Sequence, residues 1–332
     1  GIIVKRSPIA PVTASDDLKI EIEVHNHRQQ PVSLLQVRDI IPYVLGQPVQ
    51  QSIEVIQPQD SYRWIYYLPT QQRGVYRWHR VELATGAPWG LFWCRRQRQC
   101  EAMAIVYPRV LSLSNCPLID EIGQDDSHRG DPRGRPLQTA TTGLVRSLRP
   151  YRLGDPTRLI HWRTSARYGE LRVRELEIIT AGQEIIIAID SSFQWEQELF
   201  EQAVTTAASL YFYAHKQRLQ VQLWTSATGL IQGDIPVLET LAATNPLEKN
   251  SIPPDHSPLI WLTQNSLTIS SLPIGSRWVL WENPNSFTET VINREYPGII
   301  IQSEQELQPQ LQKALSLLES DFSHSDVQCK ET

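Results

Sequence analysis

The chain is 332 residues long, with 41% hydrophobic and 20% charged residues and a formal net charge of -5. That length and apolar content suit two or three domains with substantial cores, and exclude a disordered chain or one that needs disulfide or metal staples. The acidic balance argues against nucleic acid as a general partner, and there is no run of about 18 apolar residues to span a bilayer.

The chain opens on Gly1 in GIIVKRSP, which reads as a fragment. A signal or membrane segment ahead of it would therefore be out of view. From Val12 to Pro108 the pattern is all β. In LKIEIEVHNH, Leu18, Ile20, Ile22 and Val24 alternate with Lys19, Glu21 and Glu23, the period-two signature of a half-buried strand. Similar runs follow at LLQVRDII, QSIEVI, SYRWIYYL, GVYRWHRVEL, LFWCRR and AMAIVYP, separated by Pro- or Gly-containing turns. Seven or so short strands in residues 1–110 predict an immunoglobulin-like β-sandwich, with the aromatics of YRWIYYL in core and cross-strand pairs.

Residues 111–145 read as a loop or linker, because GQDDSHRGDPRGRPLQTATTG has turn chemistry and no apolar period. Its Arg-Gly-Asp tripeptide is too short a pattern to indicate adhesion. The four cysteines, Cys94, Cys100, Cys116 and Cys329, lack CxxC spacing and paired histidines. That argues against a zinc site and favours free thiols, with a Cys94–Cys100 hairpin disulfide as the alternative.

Residues 146–180 form a distinct segment. Arginine outnumbers lysine 25 to 6 in the chain, and 11 of those arginines lie between Arg129 and Arg174, with only Asp131, Asp155 and Glu170 against them. This is a guanidinium belt in an acidic protein. Asp155-Pro156 has the form of a helix start, Asp as N-cap and Pro at N1. Leu159, Trp162 and Ala166 make an apolar stripe, Gly169 suits the helix end, and LRVREL reads as a strand. Two uses compete for these residues. Asp155 and His161 could form a hydrolase acid–base pair, with Arg158 and Arg167 clamping an anion. Alternatively, Asp155 caps, the arginines pair structurally, and Trp162 fills a joint between domains. No nucleophile, second carboxylate or Gly-rich phosphate loop accompanies the first reading, so no residue is assigned as catalytic.

Residues 181–320 predict an α/β domain. EIIIAID is a continuous apolar run, as in a strand covered on both faces. Helical spacing follows in WEQELFEQAVTTAASLYFYAHKQ, a strand at RLQVQLWT, a short helix at IPVLETLAAT, strands at PLIWLT, RWVLWE and GIIIQ, and an amphipathic helix over SEQELQPQLQKALSLLES. This alternation predicts a doubly wound, Rossmann-like parallel sheet, with a polar tail at 321–332.

The string Arg149-x-Tyr151-x-x-Gly154-Asp155-x-x-Arg158-x-Ile160-His161-Trp162-x-x-Ser165-Ala166-Arg167, followed by Leu171, Val173 and Glu175, closely resembles the signature of the bacterial family catalogued as domain of unknown function 58. RGVYRW, APWGLFWCRR and IVYP resemble that family's upstream β-domain. The resemblance implies transmembrane helices ahead of the β-domain, a C-terminal domain like von Willebrand factor A, and association with a MoxR-type AAA+ ATPase in assembly or maturation of other proteins. It implies no enzymatic activity.

A von Willebrand A domain holds Mg²⁺ with Asp-x-Ser-x-Ser plus a later Thr and Asp. Asp190 and Ser192 match that pattern here, but Gln194 stands in place of the second Ser, and Thr263-Gln264 stands where the later Asp is expected. The site is degenerate: no cofactor is expected, and Mg²⁺ is the ion to test. The sequence therefore points to a non-catalytic, membrane-anchored interaction or scaffold protein on the cytoplasmic side. The alternatives are a binder of an anionic ligand (RNA or a phospholipid head group) through the Arg129–Arg174 belt, and a hydrolase using Asp155 and His161.

Overall fold

A computed structural model describes residues 1–86, 93–122, 144–150, 165, 170–177, 184–249, 254, 258–273, 275–281 and 297–315. The chain divides into two compact units: Gly1–Asp120 together with Ile185–Thr332, and Glu121–Glu184.

Among the described residues, the first part of the larger unit contains eight strands: β1 (Ile2–Arg6), β2 (Val12–Thr13), β3 (Asp17–Asn26), β4 (Val32–Asp39), β5 (Val49–Ile56), β6 (Ser61–Pro69), β7 (Gly74–Thr85) and β8 (Cys94–Tyr107). They form a three-stranded sheet, β1-β3-β6, and a five-stranded sheet, β2-β8-β7-β4-β5. Leu18, Ile20, Ile22 and Val24 of β3 are buried as their alternation predicts, and Trp64, Tyr66 and Leu68 of β6 join them. These side chains share one core with Leu35, Val37, Ile53, Val81 and Leu83 of the other sheet, so the two sheets make a sandwich. β1 falls before the predicted β region, and it pairs with β3 from Ile2↔Asn26 to Arg6↔Ile22.

Within the sandwich core lies a polar cluster. The Arg6 guanidinium is 2.7 Å from Asp39, with the side chains 1% and 0% exposed. Asp39 also accepts from the Tyr66 hydroxyl at 2.6 Å and from the Trp78 indole at 3.1 Å. Arg6 donates further to the Cys100 carbonyl at 2.6 Å and lies over the Trp78 ring. Burial and the Asp39 charge push the Tyr66 phenol far above its ordinary value, so it stays a donor.

After β8, Leu113, Cys116, Leu118 and Ile119 are buried around a short helix, α1 (Pro117–Asp120), in a stretch whose composition predicts only loop. Cys94, Cys100 and Cys116 are free. Burial pushes the Cys116 thiol up to about 12, which keeps it un-ionised and inert.

In the smaller unit, β9 (Leu144–Pro150) and β10 (Arg172–Glu177) pair antiparallel, with Arg149 opposite Val173 and Ser147 opposite Glu175. β10 is the strand predicted at LRVREL. Its partner β9 is not legible in advance, because LVRSLRP lacks a clean alternation.

The α/β part contains β11 (Glu184–Ile189), α2 (Gln197–Lys216), β12 (Gln220–Thr225), β13 (Gly229–Ile231), α3 (Asp234–Ala243), β14 (Leu259–Thr263), a 3-10 turn at Ser266–Ser271, β15 (Arg277–Trp281), β16 (Gly298–Ile301) and α4 (Leu307–Leu311). One sheet has the order β13-β12-β11-β14-β15-β16. β11/β14, β14/β15 and β15/β16 pair parallel, while β12/β13 is an antiparallel edge hairpin. The chain steps outward from β11 to β13, then returns past β11 to β14 and builds the other side. The direction of winding thus reverses between β11 and β14. The apolar runs of β11, β14 and β15 are buried along nearly their whole length, as two-sided coverage requires. The closing helix is shorter than its sequence pattern predicts. α4 ends at Leu311, with Pro309 inside it, and residues 316–332 lie outside those described.

Sandwich and α/β part meet through Arg73, in the turn before β7. Its guanidinium donates to the carbonyls of Leu241 at 3.2 Å and Thr244 at 3.1 Å, the end of α3. It also lies 3.2 Å from Glu201 and over the Phe200 ring of α2. A cation on the last carbonyls of a helix satisfies acceptors that the helix itself cannot.

Candidate functional site

The carboxyl edge of the α/β sheet, at the reversal between β11 and β14, brings together Asp190, Ser191, Ser192, Ser226 and Thr263. Asp190 follows directly on β11 and extends its ladder, donating its N–H to Leu262 at 2.9 Å. Its side chain is buried, and both carboxylate oxygens accept from hydroxyls: Ser192 at 3.0 Å and Thr263 at 2.9 Å. Burial raises the Asp190 carboxyl above its ordinary value, and the two hydroxyl bonds only partly offset that.

The surrounding loops are fixed from several directions. Trp195 donates its indole N–H to the Asp190 carbonyl at 2.6 Å, with its ring packed edge-on against Phe200 and Trp281. The Ser191 hydroxyl accepts from the Ser226 N–H at 2.9 Å, and the Ser191 carbonyl accepts from the Glu248 N–H at 2.9 Å. Thr263 also accepts from Asn265 N–H, whose carbonyl in turn takes the Thr268 hydroxyl. Gln264 receives the Glu196 N–H at 3.1 Å, capping the start of α2.

The predicted Asp190–Ser192 pair is therefore brought together, and Thr263 and Gln264 arrive at the same edge. Mg²⁺ takes a near-octahedral shell of oxygens including one or two carboxylates. Here a single carboxylate has both oxygens engaged, and Gln264 uses its oxygen on a backbone N–H. This donor set does not fit a resident Mg²⁺. Among the described residues, no group of three or more His, Cys, Asp or Glu side chains is placed to hold a metal.

The other sequence candidates fare differently. Tyr151, Gly154, Asp155, Arg158, His161, Trp162 and Arg167, with the helix expected from Asp155, lie outside the described residues. So does most of the Arg129–Arg174 belt. Ser165 is described and buried, while Arg149 and Glu175 are placed on β9 and β10 by their backbones. Sequence reasoning passes over Arg73 and the Arg6–Asp39 pair. Arg73 stands in the quoted RGVYRW, but nothing local reveals that its partners lie between 127 and 171 residues further on.

The geometry defines a class: a two-sheet sandwich fused to an α/β part, with a hydroxyl-wrapped aspartate at the carboxyl edge of the second sheet. Residues 147–237 match the family described as "Protein of unknown function DUF58", a window running from β9 through β11 and α2 into α3. The "Uncharacterized protein YeaD" of Bacillus subtilis (strain 168) is 23% identical over 202 residues, covering 59% of this chain and 48% of that protein. The chain thus spans about half the length of that relative. Among solved structures, the CARDB domain of the PF1109 protein from Pyrococcus furiosus, in complex with di-metal ions, is similar to 32% of this chain over 94% of its own, at 13% identity and a TM-score of 0.22. Red sea bream transglutaminase is similar over 32% of this chain and 15% of its own, at 10% identity and a TM-score of 0.23.

Proposed function

We propose that this chain is a non-catalytic interaction protein of the DUF58 kind, which holds a protein partner at the carboxyl edge of its α/β sheet. Counted from β11, the strand order is 3-2-1-4-5-6, and open sheets of that order bind ligands where the winding reverses. This order, with an antiparallel edge hairpin, supports a von Willebrand A-like reading of residues 181–320.

One observation carries the proposal. Three large apolar side chains stand in solvent on the segments that follow β11, α3 and β14: Phe193 at 38% exposed, Leu247 at 60% and Leu267 at 75%. Leu247 has φ +65° and donates its N–H to the Phe193 carbonyl. A leucine held in the left-handed region costs about 1 kcal/mol or more. Such strain on an exposed apolar residue is readily understood if a partner covers it. An apolar set on the loops of a polar centre suits a protein surface better than a small anion.

The partner chemistry we infer is a MoxR-type AAA+ ATPase, with the chain tethered to the cytoplasmic face of the membrane by a segment ahead of Gly1. Among the described residues, no helix is long and apolar enough to cross a membrane. The test is a binding titration between this chain and a purified MoxR-type ATPase. Phe193→Ser/Leu247→Ser should weaken binding at least about tenfold, since each buried large apolar side chain contributes roughly 1.5–3 kcal/mol, and should leave the melting temperature unchanged. If wild-type chain shows no binding, or the double variant binds equally well, the reading fails.

A further inference from the structure

The opposite end of the sandwich has a surface of another kind. β3 ends, β4 begins, β5 ends and β6 begins at one end of the sandwich, as the pairs Val32↔Ile56 and His25↔Ser61 require. β7 runs antiparallel to β4 with Leu35 opposite Thr85, and Thr85 is opposite Cys94 of β8. The β7–β8 hairpin therefore closes at this same end. Ile2 is paired with Asn26, so β1 also starts here. Arg73 and its contacts with α3 lie at the other end.

Trp93, at the foot of β8, is 44% exposed. Its ring lies across Gly86, where a Cβ would meet it at 3.2 Å, so glycine leaves room for the indole to lie flat there. Gly86 donates its N–H to the Leu34 carbonyl at 3.0 Å, and Leu34 is itself 42% exposed at φ +51°. An exposed indole and an exposed leucine thus both adjoin Gly86. Arg95 and Arg96 follow immediately on β8, and Arg28 stands in the β3–β4 turn. All three are exposed and have no carboxylate partner among the described residues. Of the nearby acids, Glu54 and Asp60 lie on the β5–β6 side, while Glu82 of β7 lines the same hollow as Arg95, where Arg38 and Arg95 together outnumber it. Asp60 is engaged with the Ser61 N–H.

We propose that this end of the sandwich docks on an anionic phospholipid surface. Indole rings favour the boundary between head groups and acyl chains. Arginines bury their stems against it while the guanidinium forks onto phosphate. Leu34 adds apolar area that a nucleic acid would not use. Any segment ahead of Gly1 would join the sandwich at this lipid-facing end, with the α/β carboxyl edge free for its partner. The docking is independent of that segment and of the partner, and its failure would leave both proposals standing.

The probe is co-sedimentation of this chain with phosphatidylcholine vesicles, with and without about one-third phosphatidylglycerol, a mixture that supplies the surface potential basic residues respond to. Binding is expected on the anionic vesicles and should fall as salt rises. Arg95→Gln/Arg96→Gln should weaken it by roughly 25-fold, because each surface arginine contributes about 1 kcal/mol near such a membrane. Trp93→Ala should weaken it several-fold and leave the salt dependence unchanged. Arg77→Ala, at the opposite end of β7, and Phe193→Ser/Leu247→Ser should both bind as wild type. No sedimentation of wild-type chain, or equal loss in Arg77→Ala, would overturn the proposal. So would single-stranded RNA displacing the chain from vesicles while depending on the same arginines and not on Leu34.

Discussion

Among the described residues two aspartates are buried, and their surroundings differ in one respect: the presence of a cation. Asp39, in the sandwich, has the Arg6 guanidinium, the Tyr66 phenol and the Trp78 indole on its two oxygens. Asp190, at the sheet edge of the α/β part, has two hydroxyls and, among the described residues, no guanidinium or ammonium. The Asp39 carboxylate, reached at both oxygens by one Arg6 nitrogen and bonded by Tyr66 and Trp78, is a closed unit that ties β1, β4, β6 and β7 together. A buried carboxylate held by hydroxyls alone keeps its desolvation cost, which appears as a raised pKa. Asp39 therefore serves the fold, and Asp190 is the group able to respond to what arrives at its surface.

The largest effect should come from breaking the closed unit. Arg6→Ala leaves Asp39 charged and unpaired in the core, so unfolding in denaturant should show a loss of about 3–5 kcal/mol. Arg6→Met/Asp39→Leu, which removes both charges, should recover much of that loss. If it does not, the pair contributes more than mutual compensation.

Asp190 should respond less to truncation and more to pH. Asp190→Ala orphans the Thr263 and Ser192 hydroxyls and should cost about 1–3 kcal/mol. The folded carboxyl titrates above its unfolded value, so the folded state binds the proton more tightly. Wild-type stability should then fall as pH rises from the ordinary carboxylate range near 4 through the raised value. Asp190→Asn, titrating nothing there, should lack that component. A difference curve of wild type minus Asp190→Asn that is flat across this window would contradict the contrast with Asp39. Millimolar Mg²⁺ should leave the melting temperature of wild type unchanged, since a ligand that does not bind the folded state cannot stabilise it.

The smallest effect concerns the link between the two parts. Arg73 caps α3, and the chain leaving α3 reaches Ser191 through the Glu248 N–H. Arg73→Ala should cost about 1 kcal/mol by loss of the cap and loosen residues 244–248, read as faster amide exchange there. Arg73→Lys should restore only part of this, because an ammonium cannot span both carbonyls as the fork does. Slower or unchanged exchange at Glu248 would show that the sandwich does not support the Asp190 loop.

Much of this architecture is legible in advance where burial follows from local period. The alternation of β3 and the unbroken apolar runs of β11, β14 and β15 announce their environments directly. Asp190 and Ser192 are found by spacing, because both sit on one tight turn after β11. The remainder depends on pairing over distance. Asp39 is 33 residues from Arg6, Thr263 is 73 from Asp190, and Thr244 is 171 from Arg73. No local pattern encodes such separations. α4 ends at a C-cap on Gln312, short of its amphipathic stretch, and Pro309 sits in the first turn, where proline is tolerated, so it does not set that end.

The sequence by itself determined most of the strands and helices, though not β1, β9 or α1, and also that the chain passes from β to α/β and that one aspartate closes the first strand of the second half. Periodicity and turn chemistry act over a few residues, so they can be read from the order of residues alone. Only the tertiary structure decided which buried aspartate receives a guanidinium and which receives hydroxyls, and which ends of the sandwich carry Arg73 and Trp93. Those outcomes depend on sheet order and register. They bring together groups far apart in the chain, and they set the dielectric and partners on which charge depends.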